Sequence, residues 1–74
     1  MRKGQAMTQH QTRRFLRLPE VKHQVGLGRT AIYQKIKAGE FPAPYPLSKN
    51  GRAVAWLADD IERWIDSRIQ SAGV

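Results

Sequence analysis

A short stretch between two glycines, Gly26 and Gly39, most constrains the fold of this chain. Gly26 follows the apolar stripe of a preceding segment, and glycine readily adopts the left-handed backbone that ends a helix. Gly28 is an acceptable N-cap for a new helix, although Ser, Asn or Asp would cap it better. Ile32 and Ile36 then lie four residues apart on one face, and Gly39 ends the helix. This spacing predicts the turn and second helix of a helix-turn-helix.

The second helix also carries five residues on an arc beside the isoleucines, at about 100° per residue. They are Arg29, Thr30, Tyr33, Gln34 and Lys37. The arc holds two cations, two neutral hydrogen-bonding groups and one amphipathic ring, and it holds no acid. Any one of these residues alone would indicate an ordinary solvated face. Together with the turn and the glycines, the acid-free set favours a surface that fits a phosphate-lined groove.

Basic residues are concentrated in the part of the chain that holds this helix. The 74 residues include 13 Lys and Arg and 6 Asp and Glu, for a formal net charge of +7. Residues 1–58 hold 11 basic and 2 acidic residues, or +9, whereas residues 59–74 hold 2 basic and 4 acidic residues, or −2. This asymmetry favours a polyanionic partner, most often nucleic acid. An anionic membrane surface is disfavoured because no basic helix has a broad apolar face.

Composition and motifs argue against several other classes of protein. A chain of 74 residues makes one domain with a thin core. It contains no cysteine, so disulfides and thiolate metal sites are excluded. No apolar run approaches about 18 residues and no signal-peptide pattern opens the chain, so we expect a soluble cytoplasmic protein. No catalytic set, metal-ligand spacing or phosphate-cradling glycine loop is present, so we predict no enzyme, no cofactor and no metal.

The chain is predicted to have three parts. Residues 1–13 are expected to be a disordered basic tail, residues 14–70 the folded domain and residues 71–74 a fraying tail. Met7 is an alternative native start.

Within the domain, the remaining elements are expected to build the core. Phe15 starts a short edge strand, and Pro19 starts a first helix that directs Val21 and Val25 inward. After a proline-rich connector, the last helix is predicted to begin at Asp59, with a capping box completed by Glu62. The residues expected to pack inward from the connector, the hairpin and this helix are Phe41, Trp56, Ile61, Trp64, Ile65 and Ile69.

Asn50-Gly51 is the strongest hairpin signal, because this pair favours a two-residue type I′ turn in which both residues have positive φ. The residue pairs predicted to face each other are Lys49 with Arg52, Leu47 with Val54, and Tyr45 with Trp56. Two cations directly opposite each other repel and destabilise a hairpin. A ligand phosphate between them would turn the repulsion into attraction, and a solvated tip is the alternative.

These elements predict an α+β, mostly α, winged helix-turn-helix with three helices, a short N-terminal strand and a two-stranded wing hairpin. The chain resembles the AlpA family of prophage and integrative-element regulators, related to MerR-type winged helix-turn-helix proteins, over roughly residues 14–69. The segments that carry the resemblance are Phe15-Leu-Arg-Leu-Pro-Glu-Val21, Gly26-Leu-Gly-Arg-Thr-Ala-Ile-Tyr33, Lys37-Ala-Gly-Glu-Phe-Pro42, and Trp56 followed by Asp60-Ile-Glu-Arg-Trp-Ile65. The resemblance implies a small DNA-binding protein that acts at promoters or attachment sites of mobile elements. Proteins similar to it regulate integrase or excisionase genes, or bend attachment sites as recombination directionality factors.

We therefore predict a sequence-specific DNA-binding transcriptional regulator whose second helix enters the major groove of double-stranded DNA. Arg29 and Gln34 are expected to read bases, because Arg pairs bidentately with guanine and Gln with adenine. Thr30, Tyr33 and Lys37 are expected to contact the DNA backbone. The wing tip, with Lys49, Asn50 and Arg52, is expected to lie on an adjacent phosphate or in the minor groove. An excision factor and a small protein-interaction adaptor are the alternatives, and further copies of the chain or an integrase are the other candidate partners.

Overall fold

The computed structural model describes residues 13–72, which form three helices and one antiparallel sheet. In chain order the elements are β1 (Phe15–Leu16), α1 (Leu18–Val25), α2 (Arg29–Lys37), β2 (Tyr45–Pro46), β3 (Val54–Leu57) and α3 (Ala58–Ala72). The predicted α+β class and the winged helix-turn-helix arrangement are confirmed. The predicted tails at residues 1–13 and 71–74, and Met7, lie largely outside the described residues. Within the described part of the chain, no helix combines the length and the apolar character needed to cross a membrane.

The turn between α1 and α2 follows the glycine pattern. Gly26 has φ of 74°, and its N–H donates to the carbonyl oxygen of Lys22 at 2.8 Å. Gly28 has extended backbone, with φ of −83° and ψ of 173°, and serves as the N-cap of α2. After α2, the N–H of Glu40 donates to the Lys35 carbonyl at 2.7 Å, which closes the helix with Gly39 at φ of 77°. Both predicted ends of α2 are therefore confirmed.

Every helix and strand except β2 contributes one apolar side chain to the core, and the connector between α2 and β2 contributes another. The six core residues, each at most 6% exposed, are Leu16, Val21, Ile32, Phe41, Trp56 and Ile61. Burying a side chain of this size stabilises a fold by about 1.5–3 kcal/mol. Because so few side chains are involved, every element depends on the others for its burial. The predicted inward placement of Val21, Ile32, Phe41, Trp56 and Ile61 is confirmed, and Trp64 and Ile65 pack partly buried against this core. The predicted inward placement of Ile69 is wrong: it is 62% exposed, because the last turns of α3, residues 66–72, lie on the surface.

The two tryptophans hold the connector between α2 and β2, residues 38–44, by hydrogen bonds. The indole N–H of Trp56 donates to the carbonyl oxygen of Pro42 at 2.9 Å, and that of Trp64 donates to the carbonyl oxygen of Glu40 at 2.8 Å. Between these two carbonyls, the ring of Phe41 meets the Trp64 ring edge-on, with centroids 4.8 Å apart. The connector is thus anchored by two hydrogen bonds and one buried ring.

The sheet has the strand order β1-β3-β2, so the N-terminal strand joins the wing hairpin as a third strand. Its register corrects our prediction. Tyr45 faces Ala55 and Pro46 faces Val54, so the predicted pairing of Leu47 with Val54 and of Tyr45 with Trp56 is wrong by one residue. The predicted pairing of Lys49 with Arg52 is also wrong, because both residues lie in a five-residue loop, 48–52, which we call the wing loop.

The geometry of the wing loop explains this difference. The type I′ turn would need positive φ at Asn50, but Gly51 alone of this pair has it, at 72°. The loop instead begins with a turn in which the N–H of Gly51 donates to the Ser48 carbonyl at 3.0 Å. The side-chain oxygen of Asn50 accepts hydrogen bonds from the hydroxyl of Ser48, at 2.7 Å, and from the N–H of Arg52, at 2.9 Å. These bonds close a longer loop and shift the register.

A shift of one residue exchanges the faces of a strand. Trp56 faces Leu16 across the sheet and lies in the core, whereas Tyr45 lies on the opposite, outer face. There its ring lies 6.2 Å from that of Phe15, and Tyr45 pairs across the sheet with the fully buried Ala55. The outer face of the sheet therefore carries exposed aromatic side chains.

The last helix begins one residue earlier than predicted, at Ala58, and extends to Ala72. Asp59 therefore lies inside the first turn, and the predicted capping box with Glu62 is wrong. The N–H of Ala58 donates instead to the carbonyl oxygen of Arg14 at 2.9 Å, because β3 runs directly into the helix beside β1.

The two glycines of the turn should respond oppositely to the same substitution. A Cβ at either position would meet no atom within 4 Å, so only backbone conformation and capping differ. Gly26→Ser forces a side chain into the left-handed region and should destabilise the fold by about 1–2 kcal/mol. Gly28→Ser adds a capping hydroxyl at an extended residue and should stabilise it by about 0.5–1 kcal/mol. Urea unfolding followed by tryptophan fluorescence measures both, and equal signs would contradict the assigned turn.

Candidate nucleic-acid interface

The structure brings the five predicted residues of α2 together around one shallow depression. Its lining is Arg29, Thr30, Tyr33, Gln34 and Lys37, which we call the polar face of α2. Tyr33 is half-buried, and the other four side chains are exposed. Ile32, on the opposite side of the same helix, is fully buried. The packing of α2 through its isoleucine side therefore leaves the polar face free on the surface.

Tyr33 joins the polar face to the core. Its ring meets the ring of Trp56 edge-on, with centroids 6.2 Å apart. The guanidinium carbon of Arg29 lies over the Tyr33 ring, 5.2 Å from its centroid. These two contacts were not predicted from the sequence. The spacing of four residues between Arg29 and Tyr33, which places both on one side of the helix, was the available signal.

The basic residues of the polar face form no ion pair with an acid. All six acids of the chain lie within residues 13–72, and the ion pairs in this range join Arg14 to Glu20, Lys35 to Glu40 and Arg63 to Asp60, at 2.8, 3.9 and 2.6 Å. Arg29 and Lys37 belong to none of these pairs. Lys35, which does pair, lies about 160° around the helix from Lys37. The charge of the polar face is thus not neutralised within the described chain.

The N-terminal end of α2 also favours negative charge. Its N-cap, Gly28, has no side chain to accept a hydrogen bond, and its first turn contains no acid. The first N–H groups of a helix lack partners inside the helix and carry the positive end of its dipole. Arg29, the first residue of the helix, adds a full positive charge at this end. An anion near this end would satisfy both features.

The wing loop supplies two more cations. Lys49 and Arg52 are exposed, and neither forms an ion pair with any of the six acids. The third predicted wing residue, Asn50, uses its side-chain oxygen inside the loop, where it accepts from Ser48 and from the N–H of Arg52. Asn50 therefore shapes the loop that presents the two cations.

Most of the described chain is similar in sequence to known prophage and phage proteins. The family model described as prophage CP4-57 regulatory protein (AlpA) matches residues 14–69. A protein of Enterobacteria phage P4, named uncharacterized protein ORF88, is 48% identical over 56 residues, which cover 76% of this chain and 61% of the phage protein. The chain thus aligns with about three-fifths of that relative's length. Since the matched region spans every element from β1 to most of α3, the chain belongs to the AlpA family of prophage regulatory proteins.

Proposed function

We propose that this protein is a sequence-specific DNA-binding transcriptional regulator of a prophage or integrative element, acting in the cytoplasm. The observation that carries the proposal is the polar face of α2, an exposed and acid-free surface with two unpaired cations. An α-helix fits the major groove of B-form DNA, and unpaired cations on its outer side would meet phosphates or base edges there. Membership of a family of prophage regulators supports the same conclusion.

The side chains of the polar face suit different parts of the duplex. Arg29 and Gln34 can each form two hydrogen bonds with one base, Arg with guanine and Gln with adenine. Thr30 and Lys37 have a hydroxyl and an ammonium group, which suit the phosphate and sugar backbone. The wing loop would then place Lys49 and Arg52 on phosphates beside the groove, or in the minor groove.

The main rival is a small adaptor that docks on an acidic protein. Salt dependence separates the two functions, because DNA binding releases counterions from the phosphates while protein docking releases few. With roughly four to six phosphate contacts, log K should fall with log salt at a slope of about −4 to −5. A shallow slope, or equal binding to acidic polypeptides, would favour the adaptor.

Two regulatory roles use the same DNA-binding mode, and footprinting on the DNA of the host element distinguishes them. One protected site beside a promoter is expected for a transcription factor. Clustered direct repeats beside an attachment core would instead identify a recombination directionality factor, which several copies of the chain and an integrase would assist.

Lys37→Ala and Lys35→Ala form a matched pair on one helix. Lys37 lies on the polar face, whereas Lys35 lies on another side and pairs with Glu40. Lys37→Ala should weaken binding to all duplexes and make the salt slope shallower by about 0.9, the value of one phosphate contact. Lys35→Ala should leave the slope unchanged. Fluorescence anisotropy across a salt series measures both, and an equal change in the two variants would contradict the proposed orientation of α2.

The wing loop can be tested with two double variants that lose the same net charge. The double variant Lys49→Ala/Arg52→Ala should weaken binding to every duplex, with a salt slope shallower by about 1 to 2. The control Lys35→Ala/Arg63→Ala removes the same net charge from two residues that pair with acids, and it should have little effect. Because all four side chains lie outside the buried core, the circular dichroism of both variants should match the wild type. Unchanged affinity in the first variant would exclude the wing loop from the interface.

A further inference from the structure

We propose that Tyr33 is a positioning residue that sets the base selectivity of the protein through Arg29. This inference rests on the proposed DNA-binding function, and it assigns to Tyr33 a role beyond contact with the DNA backbone. In this role the ring of Tyr33 holds the guanidinium of Arg29 in place before DNA arrives. Arg29 then reads a guanine, and Tyr33 need not touch the base.

The contact between the two side chains supports this role. The guanidinium carbon of Arg29 lies over the Tyr33 ring at 5.2 Å from the ring centroid, within the range of a cation–π interaction. Stacking uses the face of a guanidinium and leaves the N–H groups at its edge available for two parallel hydrogen bonds. An arginine held in this way loses less conformational freedom when it meets the two acceptors of a guanine.

Tyr33 can hold Arg29 because the core holds Tyr33. Its ring meets the ring of Trp56 edge-on at 6.2 Å, and Trp56 is fully buried. The indole N–H of Trp56 is in turn fixed to the carbonyl oxygen of Pro42 at 2.9 Å. A continuous series of contacts therefore runs from the connector through Trp56 and Tyr33 to Arg29. The guanidinium is positioned by the core, although the side chain lies on the surface.

In the part of the chain that the structure describes, the other exposed side chains of the polar face are not held in place by such contacts. Within residues 13–72, no side-chain hydrogen bond, ion pair or aromatic contact holds Gln34 or Lys37. Arg29 thus stands apart as the pre-positioned side chain of the polar face. Bidentate recognition of a base requires fixed geometry, whereas contact with a phosphate tolerates a mobile ammonium group. The position of Tyr33 beneath the base-reading candidate fits this requirement.

The first part of the experiment uses the free protein and needs no DNA. Three variants are compared with the wild type: Tyr33→Phe keeps the ring, Tyr33→Leu removes it while remaining apolar, and Arg29→Ala removes the cation. Nuclear magnetic resonance of the Arg29 side chain should show ring-current shifts and restricted Nε–H motion in the wild type and in Tyr33→Phe. Both signals should disappear in Tyr33→Leu. If Arg29 is equally mobile in all the proteins that retain it, the inference is overturned.

The second part measures selectivity on duplexes. The probe is a duplex that the wild type enriches from a random-sequence pool, together with versions that carry each single base-pair change. Arg29→Ala identifies the base pair that Arg29 reads, since discrimination is lost there. Tyr33→Leu should reduce discrimination at that same base pair by about two- to fivefold, the value of a cation–π contact at an exposed site. Tyr33→Phe should keep it, and Tyr33→Leu should have no further effect on discrimination when Arg29 is already Ala.

Each alternative outcome has a distinct meaning. A uniform loss of affinity in Tyr33→Leu, with discrimination kept, would overturn the positioning role and leave the proposed DNA-binding function intact. A loss at that base pair that adds to the loss from Arg29→Ala would also overturn it, because Tyr33 would then act independently of Arg29. Thermal unfolding checks that Tyr33→Leu is folded; if it is not, the Arg29 side-chain resonances of the wild type and of Tyr33→Phe carry the test, and an absence of ring-current shifts with a freely mobile Nε–H in both would overturn the role. If the wild type enriches no duplex, the proposed function fails and this inference fails with it.

Discussion

The burial of Trp56 is the interaction on which both the core and the candidate interface depend. Its side chain is fully buried at the centre of the sheet, and its indole N–H donates to the carbonyl oxygen of Pro42. A buried donor left without an acceptor costs roughly 1–3 kcal/mol, so the connector must pass close to this indole. The ring also contacts Tyr33 on α2. One residue therefore fixes the position of the sheet, the connector and the polar face of α2 relative to each other.

Three of the acids pair with nearby cations, while, among the described residues, the cations of the proposed interface pair with no acid. Asp60 pairs with Arg63 in the first turns of α3, and Glu40 and Glu20 pair with cations beside them. The cations of the polar face and the wing loop remain outside these pairs. Exposed ion pairs contribute little to stability, so this arrangement matters more for the surface potential than for the fold. It leaves positive charge where the proposed interface needs it.

Local rules predicted much of this molecule, and long-range contacts account for what they missed. The ends of α2 followed from glycine conformation, and the grouping of Arg29 with Lys37 followed from helical periodicity. The hairpin register did not follow from such local rules. Asn50-Gly51 favours a two-residue turn, but the side-chain hydrogen bonds of Asn50 and the pairing of β3 with β1 outweigh this preference. The two indole hydrogen bonds also did not follow from the sequence. Trp56 bonds to a residue 14 positions earlier and Trp64 to one 24 positions earlier, whereas helix and strand periodicity relates only residues a few positions apart.

We propose that the polar face of α2 and the wing loop bind one DNA duplex. Backbone and side-chain chemical-shift mapping of the labelled protein, titrated with a duplex enriched from a random pool, tests it most directly. The largest chemical-shift changes are expected at Arg29, Thr30, Gln34, Lys37, Lys49 and Arg52. Changes centred instead on the outer side of α3, around Glu62 and Asp66, would contradict it.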